Sequence, residues 1–146
     1  MNKILIMGLP GSGKTTLAKE LAYHFEVPHY NADTLREKSD DWDFSEEGRL
    51  RQAYRMSLYD FGIFDFVCPL EKMREVVQPD FVIWMDTISE GRFEDTNKVF
   101  EPPSHYDIRI TQWIGLDLLH SSLGGFSPGM KGIQLFLSEH LKKLVR

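Results

Sequence analysis

Ten residues near the start constrain this chain more than any others: Met7-Gly8-Leu9-Pro10-Gly11-Ser12-Gly13-Lys14-Thr15-Thr16. Gly8, Gly13, Lys14 and Thr15 fit G-x-x-x-x-G-K-[ST], the phosphate-cradling P-loop. Lys3-Ile4-Leu5-Ile6-Met7 reads as a short buried strand before it. After it, from Lys14 to Phe25, the residues Leu17, Ala18, Leu21, Ala22 and Phe25 recur at helical spacing. A strand that turns through glycines into a helix aims backbone N–H groups and the helix dipole at one point, which favours an anion. Gly8, Gly11 and Gly13 permit backbone angles and a close approach that a Cβ would obstruct. Lys14 brings a positive charge to the outer phosphates of a nucleotide, and the Thr15 hydroxyl is a ligand for Mg²⁺. The expected ligand is ATP with Mg²⁺, held by Gly8, Pro10, Gly11, Ser12, Gly13, Lys14, Thr15 and Thr16.

The remainder of the composition narrows the setting. A length of 146 residues suits one domain, expected over 1–146, with room for a real core. The net charge of −5 argues against nucleic acid or an acidic membrane as a partner, so any anionic substrate must be held by a few local cations. With one cysteine, Cys68, no internal disulfide forms, and a reducing cytoplasm is the expected location. No apolar run approaches the roughly 20 residues that span a bilayer. The first strand begins almost at once, so no signal peptide is expected. The five histidines lack ligand spacing, so no structural zinc site is expected.

Along the chain, Val27–Asp33 reads as a second strand with Asp33 at its polar tip. Thr34–Phe44 is charged and carries Trp42 and Phe44. Ser45 is placed to cap a helix running to about Leu58, with Glu46 and Glu47 in its first turn. On that helix Leu50, Ala53, Tyr54 and Ser57 share one side, while Arg49, Gln52 and Met56 share a neighbouring face. Phe61–Val67 gives a turn and a third strand, Leu70–Val77 a short helix, and Phe81–Met85 a strongly apolar fourth strand. Ile88–His105 is polar and interrupted by Pro102-Pro103; it is expected as an irregular lid over about 88–105. Asp107–Thr111 alternates as a fifth strand, and 133–146 reads as an amphipathic closing helix. Apolar strands alternating with helices predict a three-layer α/β/α P-loop NTPase of the kinase-like type, with a mostly parallel five-stranded sheet. Ligands of such sheets sit at the carboxyl ends of the strands, which collects Asp33, Cys68 and Asp86 around the P-loop.

The chain is short and has no N-K-x-D guanine-reading motif, which favours a compact kinase for a small molecule. That chemistry needs a carboxylate near the metal and the acceptor, arginines for the acceptor's anionic groups, and a cover that excludes water. Asp33 is the candidate carboxylate, with Lys14 and Arg36 completing the catalytic set and Thr15 and Asp33 the metal set. Arg36, Arg49 and Arg74 are the candidate acceptor cations. In the lid, Arg92 is assigned to ATP and Lys98 to the acceptor.

At this point the residues resemble a family. Gly8 to Thr16 looks like the P-loop of adenylylsulfate (APS) kinases. Asn31-Ala32-Asp33-Thr34-Leu35-Arg36 is similar to that family's D-G-D-x-[VL]-R, and Asp43-Phe44-Ser45-Glu46-Glu47-Gly48-Arg49 to its G-F-S-x-x-D-R. Phe66-Val67-Cys68-Pro69, with Arg74 following, is similar to F-I-S-P-x-x-x-x-R, and Met85-Asp86-Thr87 to V-D-T. The resemblance covers roughly residues 1–110. It implies transfer of the ATP γ-phosphate to the 3′-hydroxyl of APS, as in sulfate activation. It further implies that Asp33 positions that hydroxyl and helps to hold Mg²⁺, that Arg36 and Arg49 hold the phosphosulfate, and that Phe44 stacks on the adenine. A homodimer is the family's common form. An aromatic face and arginines are also what a planar base with adjacent anionic groups requires.

The chain departs from the family in several places. Asn31 and Ala32 replace an Asp and a Gly, which removes one carboxylate near the metal. Gln52 stands in place of Asn as a substrate-binding amide. Cys68 replaces a serine. The lid motif shrinks to Asn97–Pro103, leaving Lys98 and Phe100 as its remnants, as in the short, divergent forms carried by some bacteriophages. Two other readings remain open: a kinase for another nucleoside, nucleotide or sugar-acid acceptor, and a nucleotide-binding module with little catalysis.

Overall fold

The computed structural model describes residues 2–111. In chain order these form β1 (Lys3–Met7), α1 (Lys14–Phe25), β2 (His29–Asn31), α2 (Ala32–Ser39), α3 (Glu46–Ser57), β3 (Gly62–Asp65), α4 (Glu71–Val77), β4 (Phe81–Met85), α5 (Glu94–Val99) and β5 (Ile108–Ile110). The closing helix expected over 133–146 lies outside the described residues.

The five strands make one sheet in the order β2-β3-β1-β4-β5, and every pairing is parallel. Parallel neighbours need crossover segments, and here helices supply them on both faces. Alternate residues of β1 point opposite ways, so Ile4 and Ile6 pack with Leu17, Ala18 and Leu21 of α1. Leu5 and Met7 join Ala53 and Met56 of α3 and Met73 and Val77 of α4 on the other face. That is the three-layer α/β/α arrangement. Among the described residues no helix is long and apolar enough to cross a membrane.

The structure corrects three local expectations and shows which side of α3 faces inward. Asp33 does not end a strand: β2 stops at Asn31, whose side chain accepts from the Thr34 amide and starts α2, putting Asp33 in the first helical turn. A carboxylate there suits the helix dipole. On α3 the buried face is Arg49, Gln52, Ala53 and Met56, whereas Tyr54 is exposed. The polar residues win the inner face because α2 and the lid offer them partners. The lid is not wholly irregular, since it contains α5. Finally, Cys68 is fully buried with the α3/α4 core and does not face the P-loop.

Burial pushes the Cys68 thiol up to about 12. Only the thiolate is nucleophilic, so the folded protein should resist alkylation by iodoacetamide at pH 8, with labelling only on unfolding. Rapid labelling of the native protein would contradict this packing.

Candidate active site

β1 lies between β3 and β4, so the chain reverses its winding direction there, and the P-loop occupies the crevice at the strands' carboxyl ends. Gly8 leaves β1 with φ +149°, and a Cβ on it would collide with the Met85 carbonyl oxygen. Only glycine permits that approach. Gly13, in the left-handed region, precedes α1, whose N-terminus has no side-chain cap and no acidic residue in its first turn. The Ser12 hydroxyl is buried and is the one buried side-chain polar atom without a hydrogen-bond partner among the described residues. An uncapped helix start and an orphaned hydroxyl in a glycine cradle fit a phosphate group.

Lys14 is buried and its Nζ donates to the Leu9 carbonyl at 3.1 Å. Burial pushes its pKa down, against the pull of the Asp65 and Asp33 charges, while Arg92 pushes the same way as burial. Arg92 comes near the loop: a Cβ on Gly11 would lie 3.9 Å from its Nη1. The lid's first part is fastened here too. Thr87 Oγ1 donates to the Ser12 carbonyl at 2.7 Å, and the Asn97 amide bonds both the N–H and the carbonyl of Gly91.

The residue the sequence motifs did not single out is Asp65. It ends β3 at 2% exposure, opposite Asn31 in the parallel register, and its Oδ2 takes hydrogen bonds from Asn31 Nδ2 at 2.8 Å and His29 Nε2 at 3.1 Å. Burial alone would raise its pKa, but bonds from His29, Thr15 and Asn31 and the Lys14 charge hold it below the usual carboxylate range. The Thr15 hydroxyl and a strand-end carboxylate next to the P-loop fit Mg²⁺. No group of three or more His, Cys, Asp or Glu side chains could hold a metal among the described residues. Mg²⁺ suits such a site, because it keeps waters and phosphate oxygens as most of its ligands. The carboxylate missing at Asn31 is thus matched by one on the neighbouring strand. An apolar strand ending in Asp was the available signal, in Ile63-Phe64-Asp65.

The acceptor candidates divide into two groups. Asp33 is exposed, and its charge acts on both Lys14 and Arg36. Arg36 and Arg49 are 4% and 5% exposed, and their guanidiniums lie 4.3 Å and 5.3 Å from the Phe44 ring centre. Arg36 donates to the Asp41 and Asp43 carbonyls, and no carboxylate lies within ion-pair distance of it among the described residues. Arg49 donates to the Phe44 carbonyl at 2.8 Å and reaches Thr96 Oγ1 at 3.5 Å and Asp95 at 3.6 Å, both on α5. Burial pushes both guanidiniums down in pKa, yet arginine stays charged, so these buried cations favour an anion between them.

The second group is committed within the protein. Gln52 is fully buried, donates to the Ala32 carbonyl at 2.7 Å and accepts from Arg55. Arg74 donates to the carbonyls of Cys68, Pro69 and Glu101 and pairs with Glu71, with Phe100 beside it. Lys98 is exposed on α5 and pairs with Glu94 at 3.6 Å.

The loop carrying Phe44 is built to be rigid. Asp41 pairs with Arg51 and Arg55, Asp43 pairs with Arg51, and Ser45 caps α3 through the Gly48 amide. A Cβ on Gly48 would collide with Asp43. Asp41 and Asp43 are held below the usual carboxylate range, first by the Arg51 hydrogen bond for Asp41 and by the Ser45 amide for Asp43. Lowered folded-state pKa values, with Asp65 as a third case, give stability that is complete above the ordinary carboxylate value and is lost as pH falls from there through the lower folded-state values. The melting temperature should therefore be nearly level from pH 7 to about 5 and drop below about 4. Arg51→Ala should make that drop shallower; an equal drop would mean that these pairs do not cause it.

A family model described as an AAA domain matches residues 7–54, from the P-loop into α3. No curated protein matches the chain. Among solved structures, that of APE1195 is similar over 99% of this chain and 97% of its own, at 20% identity and TM-score 0.73. The Mycobacterium tuberculosis APS kinase CysC, in complex with AMPPNP and APS, is similar over 75% and 87%, at 19% identity and TM-score 0.62. Shikimate kinase from Aquifex aeolicus is similar over 84% and 99%, at 19% identity and TM-score 0.52. With the sheet order and the P-loop, these likenesses establish the α/β P-loop NTPase fold in its kinase-like form.

Proposed function

We propose that the protein is a Mg²⁺·ATP-dependent kinase that transfers the γ-phosphate to the 3′-hydroxyl of APS. The observation that carries this reading is the pair of buried guanidiniums, Arg36 and Arg49, at the Phe44 ring, with the Asp33 charge acting on both Arg36 and Lys14. A base with adjacent anionic groups calls for that combination. The likeness to an APS kinase holding AMPPNP and APS points the same way.

In the proposed mechanism the P-loop amides and Lys14 grip the β- and γ-phosphates, and Arg92 approaches from the lid. Thr15 and Asp65, with Asp33, would hold Mg²⁺, which when bound neutralises charge on the transferred phosphoryl oxygens. Asp33 orients the acceptor hydroxyl and accepts its proton. The hydroxyl oxygen bonds to the γ-phosphorus as the bond to the β–γ bridging oxygen breaks, and ADP leaves. Arg36 and Arg49 fix the acceptor, while α5, joined to Arg49, limits water.

One observation favours a second reading, a kinase for another small anionic acceptor. Gln52 is committed to Ala32 and Arg55, which leaves its amide less free to bind an adenine. A coupled ADP-release assay against APS, nucleoside monophosphates, shikimate and gluconate separates the two. Turnover with APS above the ATP-only background supports the first; turnover only with another acceptor replaces it with the second. No turnover with any of them would favour a binding module.

A further inference from the structure

Asn31 uses both ends of its amide. Its Oδ1 accepts from the Thr34 amide at 2.9 Å and the Thr34 hydroxyl at 3.2 Å, which starts α2. Its Nδ2 donates to Asp65 Oδ2 at 2.8 Å, and His29 Nε2 lies 3.1 Å from the same oxygen. The parallel register sets residues 31 and 65 side by side at the carboxyl ends of β2 and β3. An aspartate at position 31 would still cap α2, because Asp and Asn cap equally well. It has no N–H to donate, however, and would set a second negative charge against Asp65. The two positions therefore act as one unit, with a carboxylate on β3 and a donor on β2.

We propose that Asn31 is a positioning residue for the nucleotide's divalent cation: its amide fixes the Asp65 carboxylate beside Thr15, and the amide–carboxylate pair can be exchanged between the two strands but not split. This rests on reading the P-loop as a Mg²⁺·nucleotide site. Oriented carboxylates hold metal better than free ones, and removing an orienting partner typically costs about 10- to 100-fold in metal affinity.

The test is calorimetric titration of ADP with Mg²⁺ and with EDTA, so that the affinity ratio reports the metal without any catalysis. Asp65→Asn should cut the wild-type ratio by about 10-fold or more, and Asn31→Ser, which keeps a capping oxygen but loses the amide donor, by about 10-fold. Asn31→Asp should lower both the ratio and the melting temperature. The exchange Asn31→Asp with Asp65→Asn should restore the ratio to within a few-fold of wild type. An exchange no better than Asp65→Asn alone, a wild-type ratio in Asn31→Ser, or a larger ratio in Asn31→Asp overturns the inference. A wild-type protein whose ADP affinity ignores Mg²⁺ overturns the metal–nucleotide reading itself, and the inference with it. Because each Asn31 variant retains a cap, circular dichroism melts should show all of them folded.

Discussion

Lys14→Ala should reduce phosphoryl transfer to any acceptor by about 100- to 1,000-fold while leaving the protein folded. The expected loss follows from what Lys14 supplies. In the proposed mechanism it is a preorganised positive charge at the P-loop, partly stripped of water, that meets the negative charge growing on the transferred group, and removing one such donor has that scale of effect. Folding should survive because burial already disfavours the ammonium in the free protein, where its one hydrogen bond among the described residues is to the Leu9 carbonyl. Steady-state ADP release, with melting curves for both proteins, checks the two halves of the statement. Retained activity in the variant would remove the P-loop from the account.

Arg49→Ala should act on the other substrate. A hydrogen bond to a charged group contributes about 1.5–3 kcal/mol, so acceptor KM should rise about 10- to 100-fold. The KM for ATP should change little, because Arg49 lies on α3 beside Phe44 and α5, away from the P-loop contacts. The variant also loses the link to Thr96 and Asp95, so some rise in ATP hydrolysis without acceptor should accompany the effect. An unchanged acceptor KM would place the anion site elsewhere.

Much of this arrangement was legible in the sequence, and the reason is locality. β1, the P-loop and α1 form an unbroken strand–turn–helix whose glycines, lysine and apolar spacing sit within a single stretch. Ser45 with Glu46 and Glu47 announced the start of α3, and the structure begins it at Glu46. What escaped depends on partners distant in the chain. The inner face of α3 is set by Ala32 and Thr96, which receive Gln52 and Arg49, so apolar spacing alone left open which side turns inward. Helix α5 is short and is held by Asn97 on Gly91 and by Arg49 on Thr96, neither of which has a periodic signature. Asp65 sits between two phenylalanines, Phe64 and Phe66. Only the pairing of β3 with β1 and β2 brings it beside Thr15, His29 and Asn31.

That pairing also changes how the departures from the APS kinase pattern read. The loss of a carboxylate at Asn31 looked like a weakened metal site, whereas Asp65 supplies one a single strand away. Arg36 and Arg49 are buried beside Phe44, as the proposed anionic acceptor requires, and Arg74 instead ties the turn after β3 to Glu101 in the lid.

The most direct measurement is ³¹P NMR of a mixture of the protein, ATP, Mg²⁺ and APS. Transfer to the 3′-hydroxyl predicts a new phosphomonoester resonance that grows in step with ADP while the phosphosulfate signal of the acceptor persists. ADP that appears only with inorganic phosphate, or no change in the ATP resonances, would contradict the account.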